Sequence, residues 1–258
     1  MDLTDKTRVI AMVGKGGVGK TSITALMVKI LAKQHGKRIL VIDADPAVGL
    51  ATALGVPVGK TVDDIRNELI KSIKKGERQD NIDTVNRLDY EVFDALAQGE
   101  KFAFLAIGRP EDEGCYCRVN SLLKDIIRDL AENFDTVIID GEAGVEQINR
   151  RVMKTVNHLI MVSDTSAKGI NVVNTIRHVA QDNKAVDYES IGFVLNRVRS
   201  EDEVKDIGSR VTTDLLGWIP EDDLIREYDF QGTSLLGLPE SSAPVQSIQD
   251  VLNRLRTQ

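Results

Sequence analysis

Residues 14–21 read GKGGVGKT, directly after the apolar run Arg8–Val13 and at the start of the amphipathic segment Thr21–Gln34. This stretch satisfies the pattern GxxxxGK(S/T) in the strand-to-helix context that the pattern requires. Its glycines let backbone amides close around phosphate oxygens, and the amino end of the following helix adds positive potential. The stretch, called the phosphate loop below, therefore predicts nucleotide binding at the start of an α/β fold.

Individual side chains of the phosphate loop have separate expected tasks. We expect Lys20 to reach the β- and γ-phosphates, and the Thr21 hydroxyl to bind Mg²⁺. A glycine-rich turn without a ligand is the alternative, and the spacing and context argue against it. The predicted nucleotide contacts of this region are Gly14, Lys15, Gly16, Gly17, Val18, Gly19, Lys20, Thr21 and Ser22.

Short apolar runs alternate with amphipathic segments along the rest of the chain. This alternation is typical of a mostly parallel sheet covered by helices on both faces. The further strand candidates are Arg38–Asp43, FAFLAIG at residues 102–108, Thr136–Asp140, His158–Val162, Ile191–Asn196 and Leu215–Ile219. The further helix candidates are Asn120–Asn133, Gly144–Thr155, Lys168–Asp182, Glu201–Arg210 and Val245–Arg256. The sequence predicts a three-layer α/β/α fold with a doubly wound sheet of about seven strands.

The segment from about residue 61 to 114 differs from its surroundings. It begins with Thr61–Gln79, which predicts a polar helix rich in lysine and glutamate. No linker rich in proline, glycine or serine flanks the segment, as would be expected at a domain boundary. We therefore expect one domain over residues 1–258, with an insertion that leads to a pair of cysteines.

Composition restricts the partners of the chain. It has 40 acidic and 33 basic residues among 258, a net charge of −7 that disfavours nonspecific binding to nucleic acid or anionic membranes. No apolar run approaches the ~18 residues of a membrane-spanning helix. The amino-terminal residues lack the basic start of a secretory signal. We expect a cytoplasmic protein with neither nucleic acid nor membrane as a partner.

Two turns that carry carboxylates follow predicted strands. In the first, Asp43-Ala44-Asp45-Pro46, we expect Asp45 to orient an attacking water and Asp43 to hold a water of Mg²⁺; an ordinary turn is the alternative. In the second, the apolar run TVIID ends at Asp140, which suits the coordination sphere of the same metal. The loop GEAG at residues 141–144 follows, and its Gly144 amide is placed to sense the γ-phosphate. These features predict a switch that responds to the nucleotide.

The second residue of the phosphate loop points to a particular class of ATPase. With Lys15 in place, KGGVGKT resembles the deviant Walker A motif of the MinD/ParA/nitrogenase iron-protein class. The resemblance implies ATP hydrolysis by a homodimer in which Lys15 reaches the nucleotide of the partner subunit. Such a lysine stabilises charge on the transferred phosphoryl group, as an arginine finger supplied in trans does. A lone exposed lysine is the alternative.

The same resemblance implies an adenine pocket after a late strand. The class uses an asparagine at the position of Asn196, and a backbone stretch like Trp218-Ile219-Pro220 completes the pocket. A carboxamide has both a donor and an acceptor for the N6/N7 edge of adenine. Asn196, Arg197 and Pro220 are therefore predicted nucleotide contacts, and a strand-end cap is the alternative for Asn196.

Cys115 and Cys117 are the two cysteines of the chain. Their spacing excludes a disulfide framework and indicates metal or redox chemistry in the cytosol. The amino end of the following helix favours the thiolate form, whereas two buried small apolar side chains are the alternative. A closed site for Zn²⁺ or Ni²⁺ takes four ligands and one chain offers two, which predicts a Cys₄ site between two subunits.

The cysteines also narrow the resemblance. GCYC at residues 114–117, together with DGEAG at 140–144, is similar to the nickel-insertion accessory ATPases of carbon monoxide dehydrogenase, the CooC and AcsF type. That resemblance implies nickel delivery to carbon monoxide dehydrogenase or acetyl-CoA synthase. It has two departures, with Gln147 in place of histidine and Arg151 in place of glycine. The alternatives are a ParA- or MinD-like regulatory or partitioning ATPase and an iron–sulfur ATPase resembling the nitrogenase iron protein.

Overall fold

The computed structural model describes residues 7–75, 81–109, 117–142, 152–182 and 186–256, together with residues 144, 146, 148 and 149. Its strands are β1 Arg8–Val13, β2 Ile39–Asp43, β3 Ala97–Gln98, β4 Phe102–Ala106, β5 Thr136–Asp140, β6 Thr155–Ser163, β7 Asp187–Val198 and β8 Leu215–Pro220. Its helices are α1 Lys20–Leu31, α2 Gly49–Leu54, α3 Val62–Lys74, α4 Asn81–Asp94, α5 Cys117–Ala131, α6 Ala167–Asp182, α7 Glu201–Gly208, α8 Asp223–Gln231 and α9 Ala243–Leu255.

The eight strands form one sheet in the order β3-β4-β2-β5-β1-β6-β7-β8. All neighbouring strands are parallel except β3 and β4. Successive side chains of a strand point to opposite faces, so Val9 and Ala11 of β1 enter one apolar core while Ile10 and Met12 enter the other. Both faces are therefore buried, and the predicted α/β/α fold in a single domain is confirmed.

The structure corrects some sequence-based expectations. The sheet has eight strands where about seven were predicted, because β3 is an antiparallel edge strand of two residues, too short to produce an apolar pattern. The helix predicted over Gly144–Thr155 is wrong at its end, since Thr155 already belongs to β6. The predicted insertion includes β4, which pairs with β2 inside the main sheet. Within the described ranges, no helix has the length and apolarity needed to cross a membrane.

The order of the central strands brings the predicted site together. Strand β5 lies between β2 and β1, and its last residue, Asp140, is in register with Asp43 on one side and Met12 on the other. The phosphate loop leaves β1 at this same edge, where the carboxyl ends of parallel strands meet. Three segments that are far apart in sequence thus converge.

Candidate functional site

The backbone of the phosphate loop requires glycine at specific positions. Gly14, Gly17 and Gly19 have φ angles of 147°, 81° and 92°, in the region that residues with a side chain rarely adopt. A Cβ on Gly14 would lie 2.2 Å from the carbonyl oxygen of Val162, a backbone atom that cannot move aside cheaply. The loop therefore packs directly on the end of β6.

Lys20 is the first residue of α1, and its side chain returns over the loop. Its Nζ donates to the carbonyl oxygens of Gly14 at 3.0 Å and Lys15 at 3.4 Å. The residue is 7% exposed. The half-buried Lys15 and the exposed Gly16 and Gly17 form the outer part of the same loop. The ammonium group is therefore held against the backbone at the start of the phosphate loop.

Asp140 links the end of β5 to the start of α1. The Thr21 hydroxyl donates to Asp140 Oδ2 at 2.7 Å, and the Thr24 hydroxyl donates to Oδ1 at 3.5 Å. Burial of the carboxyl raises the pKa of Asp140 to about 6, although the hydrogen bond from Thr21 and the charge of Lys20 act in the opposite direction.

Asp43 is a second buried carboxylate beside the first. Its Oδ1 accepts the backbone N–H of Asp45 and its Oδ2 that of Leu50, both at 3.0 Å. Burial, and then the neighbouring charge of Asp140, raises the pKa of Asp43 to about 7. Two buried carboxyl groups and a threonine hydroxyl form a donor set that suits Mg²⁺. A bound cation would also relieve the repulsion between the two carboxylates.

Asp45 lies at the edge of this pair. Its Oδ1 accepts the backbone N–H of Ala47 at 2.9 Å, which closes the turn after β2. The residue is half-buried, and its charge is one of the causes that raise the pKa of Asp140. The structure thus places the three predicted carboxylates in one electrostatic neighbourhood.

The predicted adenine contacts line a cleft of about 340 Å³ next to the phosphate loop. Gly19, Ser22, Asn196, Arg197 and Pro220 all contribute to its wall. Asn196 Nδ2 donates to the carbonyl oxygen of Val18 at 2.8 Å, so this side chain also braces the loop. Sequence reasoning missed the opposite wall, which α8 supplies with Ile225, Arg226 and Asp229. Its available signal was Asp222, which caps α8 by accepting the N–H of Ile225.

A second cleft, of about 430 Å³, lies at the other end of the sheet. It is lined by residues at the starts of β2 and β4, including Arg38, Ile39 and Phe102. None of the described residues predicted for the functional site lines it. The chemistry predicted from the sequence therefore converges on the cleft beside the phosphate loop.

The cysteine pair is described in part. Cys117 is the first residue of α5 and is exposed, which contradicts a buried apolar role for this residue. Its sulfur is in a disulfide, so the expectation that the cysteine spacing excludes one is wrong for Cys117. Cys115 lies outside the described residues, as do the two departures from the resembling family, Gln147 and Arg151. Gly144 of the second carboxylate loop is described and half-buried.

The comparisons with known proteins agree with this geometry. The model of the CobQ/CobB/MinD/ParA nucleotide binding domain matches residues 9–235. The chain belongs to this family. It is accordingly a P-loop ATPase, and it is 36% identical over 249 residues to an uncharacterized ATP-binding protein of Methanocaldococcus jannaschii, with 96% of this chain and 98% of that protein covered.

Two further relatives bear on function and fold. The carbon monoxide dehydrogenase accessory protein CooC of Rhodospirillum rubrum is 30% identical over 240 residues, 89% of each chain. The structure of the septum site-determining protein MinD of Pyrococcus horikoshii, solved with Mg-ADP, superposes with a TM-score of 0.64 at 22% identity over 95% of this chain and 94% of that one. At that identity the MinD structure shows a shared fold only.

Proposed function

We propose that this family member is a cytoplasmic, homodimeric ATPase that works as a nickel-insertion factor for carbon monoxide dehydrogenase or acetyl-CoA synthase. The observation that carries the switch is the 2.7 Å contact between the Thr21 hydroxyl and Asp140, which joins the phosphate loop to the loop after β5. A nucleotide bound at the first element would act on the second through this contact. The likeness to CooC, a carbon monoxide dehydrogenase accessory protein, supports the proposed client enzyme.

The loop residues would hold the triphosphate. Backbone amides of residues 14–21 surround the phosphates, and Lys20 moves from its two carbonyl partners to the β- and γ-phosphate oxygens. Thr21, Asp43 and Asp140 would hold Mg²⁺, which when bound neutralises phosphate charge. Asp45, which lies beside Asp43 and Asp140, would orient the water that attacks the γ-phosphate.

The base and the partner subunit complete the proposed site. Asn196, Arg197 and Pro220 would contact adenine in the cleft beside Gly19. Lys15, on the outer part of the loop, would cross a two-fold interface to the nucleotide of the partner. Hydrolysis would remove the γ-phosphate that both subunits contact, and the dimer would then relax.

The proposed cargo site is a Cys₄ centre built from Cys115 and Cys117 of two subunits, for Zn²⁺ or Ni²⁺. The exposed position of Cys117 at the amino end of α5 supports it, because once the disulfide of Cys117 is reduced the helix dipole favours the thiolate that binds metal. Two chains facing each other would bring four thiolates together.

Metal titration of the fully reduced protein tests the cargo site. We expect one Zn²⁺ or Ni²⁺ per two chains, with the mass in solution rising from monomer to dimer. Cys115→Ser and Cys117→Ser should each lose both effects, while Ser121→Ala, an exposed change on the same helix, should keep them. One metal per monomer, or metal retained by the double cysteine variant, contradicts the shared site.

A ParA- or MinD-like regulatory role is the second candidate, favoured by the shared fold with MinD. Binding of the ATP-loaded protein to duplex DNA or to anionic vesicles would favour it over nickel insertion. An iron–sulfur role like that of the nitrogenase iron protein would instead give a purified protein with visible absorbance.

A further inference from the structure

Lys124 of helix α5 is hydrogen-bonded to the segment after β5. Lys124 lies two turns after Cys117, and its Nζ donates to the Asn149 backbone oxygen at 2.6 Å and to Asn149 Oδ1 at 3.0 Å. The residue is half-buried, and burial lowers its pKa. Two charge-assisted bonds to one residue, partly shielded from water, form a directional link.

Ile148, the residue before Asn149, is packed against the loop that follows Asp140. The N–H of Gly141 donates to the carbonyl oxygen of Met12 at 2.9 Å, at the end of β1. A Cβ on Gly141 would lie 3.2 Å from the side chain of Ile148, which is fully buried. Gly141 therefore sits directly on the residue before Asn149, and a displacement of this loop would be transmitted to Asn149.

The first turn of α5 has a separate attachment. Arg66 of α3 is 5% exposed, and its Nε donates to Asn120 Oδ1 at 2.7 Å. This contact holds the end of α5 that bears Cys117 against α3. A displacement of Asn149 would act through Lys124 and shift α5 relative to this contact with α3.

We infer that Lys124 is a positioning residue that couples α5, and with it Cys117, to the nucleotide state at Asp140. The connected contacts run from Thr21 to Asp140, through Gly141 and Ile148 to Asn149, and across Lys124 to α5. This inference rests on the proposed nucleotide site, and it assigns the regulation of the proposed metal site to a residue that touches neither ligand.

Hydrogen exchange over residues 117–131 tests the coupling, with and without a non-hydrolysable ATP analogue and Mg²⁺. Wild-type protein should show a nucleotide-dependent change in exchange across α5. Lys124→Met keeps the aliphatic chain but removes the donors, and it should reduce that change by about half or more. Affinity for the analogue should stay within about twofold of wild type, because Lys124 is not one of the residues that we propose bind the nucleotide.

Three further variants complete the experiment. Arg128→Met removes a cation of the same helix that pairs with Asp125 and Asp129, and it should leave the nucleotide response unchanged. Lys124→Arg keeps a cationic donor and should restore most of the response. If Lys124→Met does not fold, Asn149→Ala removes the bond from Lys124 to Oδ1, keeps the bond to the backbone oxygen, and should give a partial loss.

Calorimetric titration of the same samples separates this inference from the proposed function. Wild-type protein that binds the analogue without any change in α5 overturns the coupling and leaves the nucleotide site standing. A full response in Lys124→Met overturns the role of this residue. Failure of the cysteines to bind metal would contradict the cargo site, and it would leave the exchange measurement unaffected.

Discussion

Asp45 closes its own turn by accepting the N–H of Ala47, a bond that an asparagine oxygen can also accept. Asp45→Asn therefore preserves the loop and removes the negative charge that we propose orients the attacking water. We expect ATP affinity near that of wild type and a fall in kcat of about 10²-fold or more. The measurement is steady-state ATPase activity together with direct nucleotide binding.

Lys20→Ala is the matched comparison for that variant. We propose that Lys20 contacts the phosphates in the ground state, so its loss should weaken binding itself. A wild-type kcat in Asp45→Asn would show that Asp45 is not the carboxylate that positions water.

Asp140 predicts a pH dependence of stability in the absence of Mg²⁺ and nucleotide. Its pKa rises from 3.8 to about 6 on folding, so the folded state holds more protons between these values and loses stability as the pH rises through that window. The Asp140→Asn side chain carries no charge, so the stability of this variant does not fall in that pH window. Above pH 6, Asp140→Asn should be more stable than wild type by up to about 3 kcal/mol, and below pH 4 the difference should vanish.

Thermal and urea unfolding across pH 4–8 in a chelator measures this difference. Asp125→Asn, an exposed change on α5, serves as the control and should differ little from wild type at any pH. A difference between Asp140→Asn and wild type that does not vary with pH would contradict the raised pKa.

Helix α9 packs directly on β8. A Cβ on Gly217 of β8 would lie 2.6 Å from Val251 Cγ2, so strand and helix approach as closely as glycine allows. Ile248 is fully buried on the same helix face, whereas Gln246 is exposed. The amphipathic pattern predicted this docked face, and the glycine sets its distance.

Ile248→Ala should lower the free energy of unfolding by about 2–5 kcal/mol, because it leaves a cavity between α9 and the sheet. Gln246→Ala, on the exposed face of the same helix, should change it by about 0.5 kcal/mol or less. Urea denaturation of both variants measures the two effects. Equal losses would mean that helix propensity, and not burial against β8, determines the stability that α9 adds.

At the scale of the whole molecule, Lys15 predicts an active site shared between two chains. A mixed dimer of Lys15→Ala and Asp45→Asn chains contains one site with Asp45 from its own chain and Lys15 from the partner. Equal mixing should restore about a quarter of the wild-type rate, since half of the dimers are mixed and one of their two sites is complete.

The control mixes Lys15→Ala chains with chains that carry both substitutions, which cannot form a complete site. That mixture should stay at the background rate. No recovery in the first mixture, with mixed dimers demonstrated by mass, would contradict a lysine that crosses the interface.

The sequence by itself determined the features that are local in the chain. The phosphate loop follows from the spacing of its glycines, whose positive φ angles and close contact with β6 only glycine accepts. The mostly parallel sheet follows from apolar runs separated by amphipathic helices, because both faces of such strands must be buried. The acidic end of β5 follows in the same way from one run, TVIID.

Only the tertiary structure decided which of these features lie next to each other. The pairing of Asp43 with Asp140 depends on β5 lying between β2 and β1, an order that no local pattern encodes. Thr21 and Asp140 are 119 residues apart, and Asn196 and Val18 are 178 apart. The wall that α8 adds to the cleft and the Lys124–Asn149 link depend on packing in the same way. The physical reason is that burial and chain crossover set such contacts, whereas periodicity and spacing report only on neighbours in sequence.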